Sequence, residues 1–247
     1  MNPHFSIFGL QFYWYGLLLG LSIALVMYLV DRRAVKFDKL DFSDKRRRVA
    51  SRTVNLQLFF QQWSVVLVVG GLIGARAWHV ATDWHRYVGD WFAVLQLNQG
   101  GLSILGAIVG GVVTLVVLRR FVPAVRLVPA LLICDALVFG LPFGQAVGRV
   151  GNWINQELYG LPSTLPWAIP IDVAHRLPDF VMYERYHPLF AYEALVLLGL
   201  GLGIWWLDRR KTHLFGSGFF TLLYLTIYSS VRFLLDFLRI DRPVWQF

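Results

Sequence analysis

Residues 130–160 read ALLICDALVFGLPFGQAVGRVGNWINQELYG. The first half is an apolar run broken only by Asp135, and the second sets Arg149, Asn152, Asn155, Gln156 and Glu157 among closely spaced glycines. A helix needs about 20 apolar residues to cross roughly 30 Å of hydrocarbon. The stretch therefore reads as a membrane helix that leaves the hydrocarbon into a hydrogen-bonding head. The rest of the chain agrees. Of its 247 residues 57% are hydrophobic and 15% charged, and the mean hydropathy of +0.55 lies outside the soluble range. Stretches 12–30 and 100–118 carry no charge, 127–148 carries only Asp135, and 188–207 only Glu193. Two more runs, 63–80 with Arg76 and 216–240 with Arg232, Asp236 and Arg239, bring the expected count to six spans. The predicted fold is an all-α polytopic transmembrane helical bundle, a single integral membrane domain over 1–247.

Charge placement gives the expected orientation. The connection after the first span holds Arg32, Arg33, Lys36, Lys39, Lys45, Arg46, Arg47, Arg48 and Arg52, and two further basic loops, at Arg119-Arg120 and at Arg209-Arg210-Lys211, fall on the same side by alternation. Basic connections stay cytoplasmic. This places the N-terminus and the mixed-sign segment 149–187 outside, and the prolines at 162, 166, 170 and 178 make that segment a small loop-rich head. Much of the net charge of +8 is thus topology and contact with anionic lipid, which argues against nucleic acid as a partner. No lysine or arginine precedes the first span, so it is expected to remain as an anchor rather than act as a cleaved signal. The lone Cys134 excludes an internal disulfide. No histidine pair has metal-ligand spacing within one helix, so no metal and no cofactor is expected.

Projected as a helix, Gln145, Arg149, Asn152 and Gln156 form one stripe, while Gly144, Gly148 and Gly151 leave a bare face for a neighbour. Arg149 offers a fork of donors suited to phosphate, and Asn152 and Asn155 add amides. The plainer alternative is a helix end whose arginine snorkels to the headgroups. In LYLTIYSSVRFLLDFLRID the residues Tyr224, Tyr228, Arg232, Asp236 and Arg239 share a stripe, and the i,i+4 spacing lets Arg232 pair with Asp236. An arginine at mid-membrane costs about 2.5–3.5 kcal/mol and normally faces a polar cavity or a partner. The alternative there is a purely structural ion pair. Arg76 poses the same choice. His187-Pro188 followed by Glu193 reads first as a helix start with a carboxylate near the positive end of its dipole. These residues together describe a cationic cavity fit for a phospholipid headgroup. They leave a lipid-modifying transferase, a lipid or anion transporter and a structural membrane subunit undivided.

GRVGNWINQELYG (148–160) closely resembles the signature of bacterial prolipoprotein diacylglyceryl transferases, and WYGLLLG, GGLIGARAWHV, QGGLSILGA, RYHPLFAYEAL and YSSVRFLLDFLRID follow the family's order along nearly the whole chain. The resemblance implies a multi-pass enzyme of the bacterial plasma membrane, with its active site facing the outer leaflet. Its reaction moves the diacylglyceryl group of phosphatidylglycerol to the lipobox cysteine of preprolipoproteins, forming a thioether. The catalytic set it implies is Arg149, Arg232, Tyr15, Tyr228, Asn152 and Glu157. Lipid binding falls to Arg149, Arg232, Asn152, Asn155, Gly160, Arg76, His187 and Arg239.

The chain departs from the pattern in three places. Leu105 stands where family members often carry a histidine proposed as general base, Asp236 stands where glutamate is usual, and the chain ends at Phe247, one span short of many relatives. Leucine takes no proton. Either the thiol, with an unperturbed pKa near 8.5, ionises unaided, or His187 or Tyr228 assists, or the chain is a non-catalytic lipid-binding or lipid-transporting relative.

Overall fold

A computed structural model describes residues 4–7, 10–39, 55–95 and 101–240. The basic run at 45–48 with Arg52, Gln99 and Gly100 of the QGGLSILGA motif, and the tail 241–247 lie outside the described residues. Two short strands, β1 (His4–Ile7) and β2 (Leu10–Tyr13), pair antiparallel and lead into α1 (Trp14–Asp38). There follow α2 (Leu56–Thr82), α3 (Ile104–Phe121), α4 (Pro123–Leu127), α5 (Ala130–Leu137) and α6 (Leu141–Ile154). After the strand pair β3 (Ile169–Pro170) and β4 (Arg185–Tyr186) come α7 (Leu189–Lys211) and α8 (Phe219–Asp236). Five helices are long and apolar enough to cross a membrane, and the bent pair α5 and α6 makes six if it counts as one span. The chain is an all-α polytopic membrane protein. Its packing divides into two compact units, 1–30 with 134–247, and 31–133.

In the second unit, α2 and α3 meet along a groove of small residues. A β-carbon on Gly110 would lie 2.8 Å from Gly74 Cα, and one on Gly74 would lie 2.6 Å from Gly110 Cα, so neither position admits a side chain. Backbones at that separation associate by close van der Waals packing, the usual source of helix pairing in lipid. Thr114, one turn further along α3, meets Gly70. The start of α2 is closed by Asp38, whose carboxylate accepts the N–H groups of Leu56 at 3.0 Å and Gln57 at 2.9 Å, and by Asn55, which accepts from Leu58. Those N–H groups have no partner inside the helix.

In the first unit, α6 follows α5 across a bend of 44°. Pro142 lies in the first turn of α6, where a missing N–H costs nothing. At the bend Gly140 lets α1 approach, since a β-carbon there would lie 2.9 Å from Val26 Cα. The bare face of α6 does admit this neighbour: Gly144 faces Val26 and Ser22, and Gly151 faces the Tyr15 ring, while Gly148 opens onto free space. Asp135, fully buried, explains its place in an apolar run. Its carboxylate accepts the N–H groups of Gly216, Gly218 and Thr221 at 2.8, 3.0 and 2.9 Å and the Thr221 hydroxyl at 2.8 Å, so it caps α8 from another helix. Gly216 and Gly218 both have φ of 86°, a conformation that favours glycine. Phe139, stacked edge-on with Trp205, Phe215 and Phe220, fills the space beside this cap.

The segment after α6 folds around Tyr159, Ile171 and Tyr186. The Tyr159 hydroxyl donates to His175 O and accepts from Leu177 N–H, and the Tyr186 hydroxyl donates toward Phe180 O and Tyr183 O. Burial pushes the Tyr186 phenol above its usual pKa.

Candidate active site

The first unit gathers charged side chains at the end of α6. Arg149 projects from α6, Glu193 from α7, and Tyr228 and Arg232 from α8. Glu193 joins them. Its Oε1 pairs with Arg149 Nη2 and accepts the Tyr228 hydroxyl at 3.3 Å, and its Oε2 pairs with Arg232 Nη1 at 3.3 Å. The Glu193 side chain is 4% exposed, against 16% for Arg149 and 33% for Arg232. A buried carboxylate bonded to both guanidinium groups fixes where the forks point. Most of the N–H donors of both arginines stay free for a ligand, because among the described residues Arg149 uses only one of each terminal pair and Arg232 only Nη1.

A second layer orients Arg149. Its Nη1 donates to Asn152 Oδ1 at 3.2 Å, and Asn152 Nδ2 donates to Glu157 Oε1 at 2.8 Å. Asn155 Nδ2 reaches the same oxygen at 3.4 Å. Tyr15, at the start of α1, is within electrostatic reach of Glu157 and Arg149, and Gly151 gives its ring room. Tyr224 donates to Gln145 and stacks on Tyr228 with centroids 5.7 Å apart. Arg149, Asn152, Asn155, Glu157, Tyr15, Tyr228 and Arg232 thus meet in one unit.

The other residues singled out by sequence lie elsewhere. Gly160 sits where the segment after α6, the approach to α7 and the end of α8 converge. Its N–H donates to His187 O at 2.8 Å, it bridges Arg239, and a β-carbon there would lie 2.8 Å from Leu238 O and 2.9 Å from His187 Cβ. No other residue fits that backbone crossing. His187 Nδ1 lies 3.1 Å from the Tyr192 hydroxyl, which accepts from Trp167 Nε1 at 2.7 Å. Arg239 Nη1 pairs with Asp236 at 3.4 Å. Arg76 belongs to the second unit, buried, with donors on the carbonyl oxygens of Ala93, Val94 and Gly101 and its guanidinium 5.3 Å from the Tyr87 ring centroid. Those contacts tie Ala93, Val94 and Gly101 to α2. Leu105 lies exposed in the first turn of α3. Among the described residues no group of three histidine, cysteine or carboxylate side chains is placed to hold a metal ion.

Two expectations from spacing give way to tertiary contacts. Arg232 pairs with Glu193 rather than with Asp236 one turn away, since Asp236 is 46% exposed and its charge is screened by solvent. Gln156 leaves the stripe of Arg149 and Asn152: α6 ends at Ile154 and Gln156 has φ of 53°. Its amide bonds twice to Asp172 in the head, and this hydrogen bond holds the Asp172 carboxyl below the usual carboxylate range. Glu193, read as a helix-start carboxylate, is the residue sequence reasoning missed. The signal available was its isolation, as the only charge in 188–207.

The sequence profile of the family described as prolipoprotein diacylglyceryl transferase matches residues 3–247. Three curated proteins named phosphatidylglycerol–prolipoprotein diacylglyceryl transferase are similar to the chain. That of Chloroflexus aggregans is 34% identical over 96% of the chain and 76% of the relative. That of Synechococcus elongatus is 33% identical over 92% and 73%, and that of Cutibacterium acnes 39% identical over 74% and 60%. The chain thus spans about three-fifths to three-quarters of the length of these relatives.

Proposed function

The chain belongs to the prolipoprotein diacylglyceryl transferase family, and from that premise we propose that it transfers the diacylglyceryl group of phosphatidylglycerol to the lipobox cysteine of preprolipoproteins. In the reaction the cysteine sulfur attacks the glyceryl carbon. The carbon–sulfur bond forms as the carbon–oxygen bond to phosphate breaks, glycerol phosphate leaves with the bonding pair, and the thiol proton goes to a base or to water. Negative charge grows on the departing phosphate. Arg149 and Arg232 are the groups to receive it, because preorganised donors in a water-poor site act on charge as it develops. Asn152, Glu157 and Asn155 orient Arg149; Tyr15 and Tyr228 stand beside the phosphate; Gly160 admits the backbone crossing that His187 and Arg239 share. In this reading the site faces the outer leaflet of the bacterial plasma membrane with the N-terminus outside, an orientation that the basic connections support.

The observation that supports this reading most strongly is that guanidinium groups 83 residues apart in sequence, Arg149 and Arg232, share the carboxylate of Glu193. The test is reconstitution in phosphatidylglycerol vesicles with a lipobox peptide. A thioether-linked diacylglyceryl peptide should form with one glycerol phosphate released per adduct, and Arg149→Ala and Arg232→Ala should abolish both. No adduct, with the lipid accessible, contradicts the reading. Leu105 favours one competing reading, a relative that binds phosphatidylglycerol without releasing glycerol phosphate.

A further inference from the structure

The end of α6 is closed by a Schellman arrangement. With Asn155 as the capping residue, the Gln156 N–H donates to Trp153 O at 3.1 Å and the Glu157 N–H donates to Asn152 O at 3.0 Å. That turn needs a left-handed residue directly after the cap, a place glycine usually fills. Here it is Gln156, with φ of 53°, and Leu158 is left-handed as well at 55°. Both carry a β-carbon that crowds in this conformation. Glu157 is therefore flanked by two residues that adopt it only under constraint.

The constraint on the first is visible. Gln156 is buried; its Nε2 donates to Asp172 Oδ2 at 2.6 Å, and its Oε1 accepts the Asp172 N–H at 2.6 Å. This two-point clamp joins the helix end to the head segment next to β3. A glycine after the cap would make the turn without strain but could not make the clamp. The following residue, Glu157, is the acceptor for Asn152, and Asn152 in turn accepts from Arg149.

We infer that Gln156 is a positioning residue: clamped on Asp172, it holds the left-handed turn that sets Glu157 against Asn152 and, through Asn152, aims Arg149. Its effect on turnover rests on the proposed transferase reading, whereas the clamp itself does not. Gln156→Gly preserves the backbone turn and removes only the side chain, so it separates positioning from folding. Asp172→Ala removes the clamp from the other side. Asp172→Asn keeps an oxygen acceptor and the backbone N–H, and serves as the conservative rescue.

The full chain and the three variants, in phosphatidylglycerol nanodiscs, are compared by amide hydrogen exchange of the segment containing Asp172, by thermal midpoint and by transfer kinetics. In Gln156→Gly, exchange at Asp172 should rise by about tenfold or more, as an opened local contact requires. Its kcat should fall about 10- to 100-fold, the scale of an ångström-level misplacement, while KM for phosphatidylglycerol stays within about threefold. Asp172→Ala should behave alike and Asp172→Asn should stay near the native protein. Native kcat in Gln156→Gly overturns the inference, and so does a loss that disappears once rates are normalised to folded protein. If the native chain transfers nothing, the proposed function fails, and exchange alone decides the clamp: a rise at Asp172 supports it and no change overturns it.

Discussion

Replacing Glu193 by glutamine keeps volume and removes charge, and the structure says what each contact loses. Glu193 offers one oxygen to Arg149 and Tyr228 and the other to Arg232. A glutamine has one carbonyl oxygen and one NH2 group. With its oxygen toward Arg149 and Tyr228, the NH2 group confronts Arg232 Nη1, donor against donor. One charge-assisted bond is lost and the bond from Arg149 keeps its cationic donor but meets a neutral acceptor, a loss of about 2–3 kcal/mol in the fixing of the guanidinium forks. At about 1.36 kcal/mol per decade this is roughly 30- to 150-fold in turnover. Lipid affinity should move the other way, because the carboxylate that competes with phosphate for both arginines is gone; a gain of about threefold is the order expected for a partly screened charge. The assay is transfer from phosphatidylglycerol to a lipobox peptide, read as the mass of the thioether adduct, beside lipid binding measured on the same preparation. Native turnover in Glu193→Gln, or lipid binding weakened in step with turnover, refutes the role given to this carboxylate.

Three further outcomes follow from the packing. Asp135→Ala strips the acceptor from three backbone N–H groups and a hydroxyl at the start of α8; unsatisfied buried donors cost about 1–3 kcal/mol each, so the thermal midpoint should fall clearly, with Asp135→Asn in between. Gly110→Leu puts a side chain where Gly74 Cα lies 2.8 Å from a β-carbon, so α2 and α3 must separate; a cysteine pair engineered across that groove, which cross-links in the native background, should no longer do so. The Asp172 carboxyl titrates below its unfolded value, so the stability it adds is present above the unfolded carboxylate range and is lost as pH falls through the lowered folded value. Proteolysis of the head should therefore accelerate only in acid, and Asp172→Asn should remove that pH dependence.

The spans were legible because hydrocarbon selects for long apolar runs. Gly144 and Gly151 were legible as packing positions on the bare face of α6, since a missing side chain matters most where backbones touch. Arg149 and Arg232 stood out for the opposite reason: a cation in an apolar run requires a partner. The identity of that partner was not legible. Spacing proposed Asp236 for Arg232, but the lower dielectric around Glu193, on a third helix, makes it the stronger acceptor. Asp135 was equally opaque, as its four donors lie more than 80 residues away. Gln156 misled because helical projection has no term for a tertiary clamp that offsets a left-handed turn. The Gly160 crossing was marked by the family signature, while its cause, the approach of Leu238 O and His187, appears only in three dimensions.

The measurement that bears most directly on the account is a structure of the chain in phosphatidylglycerol nanodiscs that resolves the bound headgroup. If both guanidinium groups receive the leaving phosphate, one phosphodiester will lie with oxygens about 2.7–2.9 Å from nitrogens of both Arg149 and Arg232, the two still bridged or flanked by Glu193. A headgroup held by one arginine alone, or seated away from both, contradicts it.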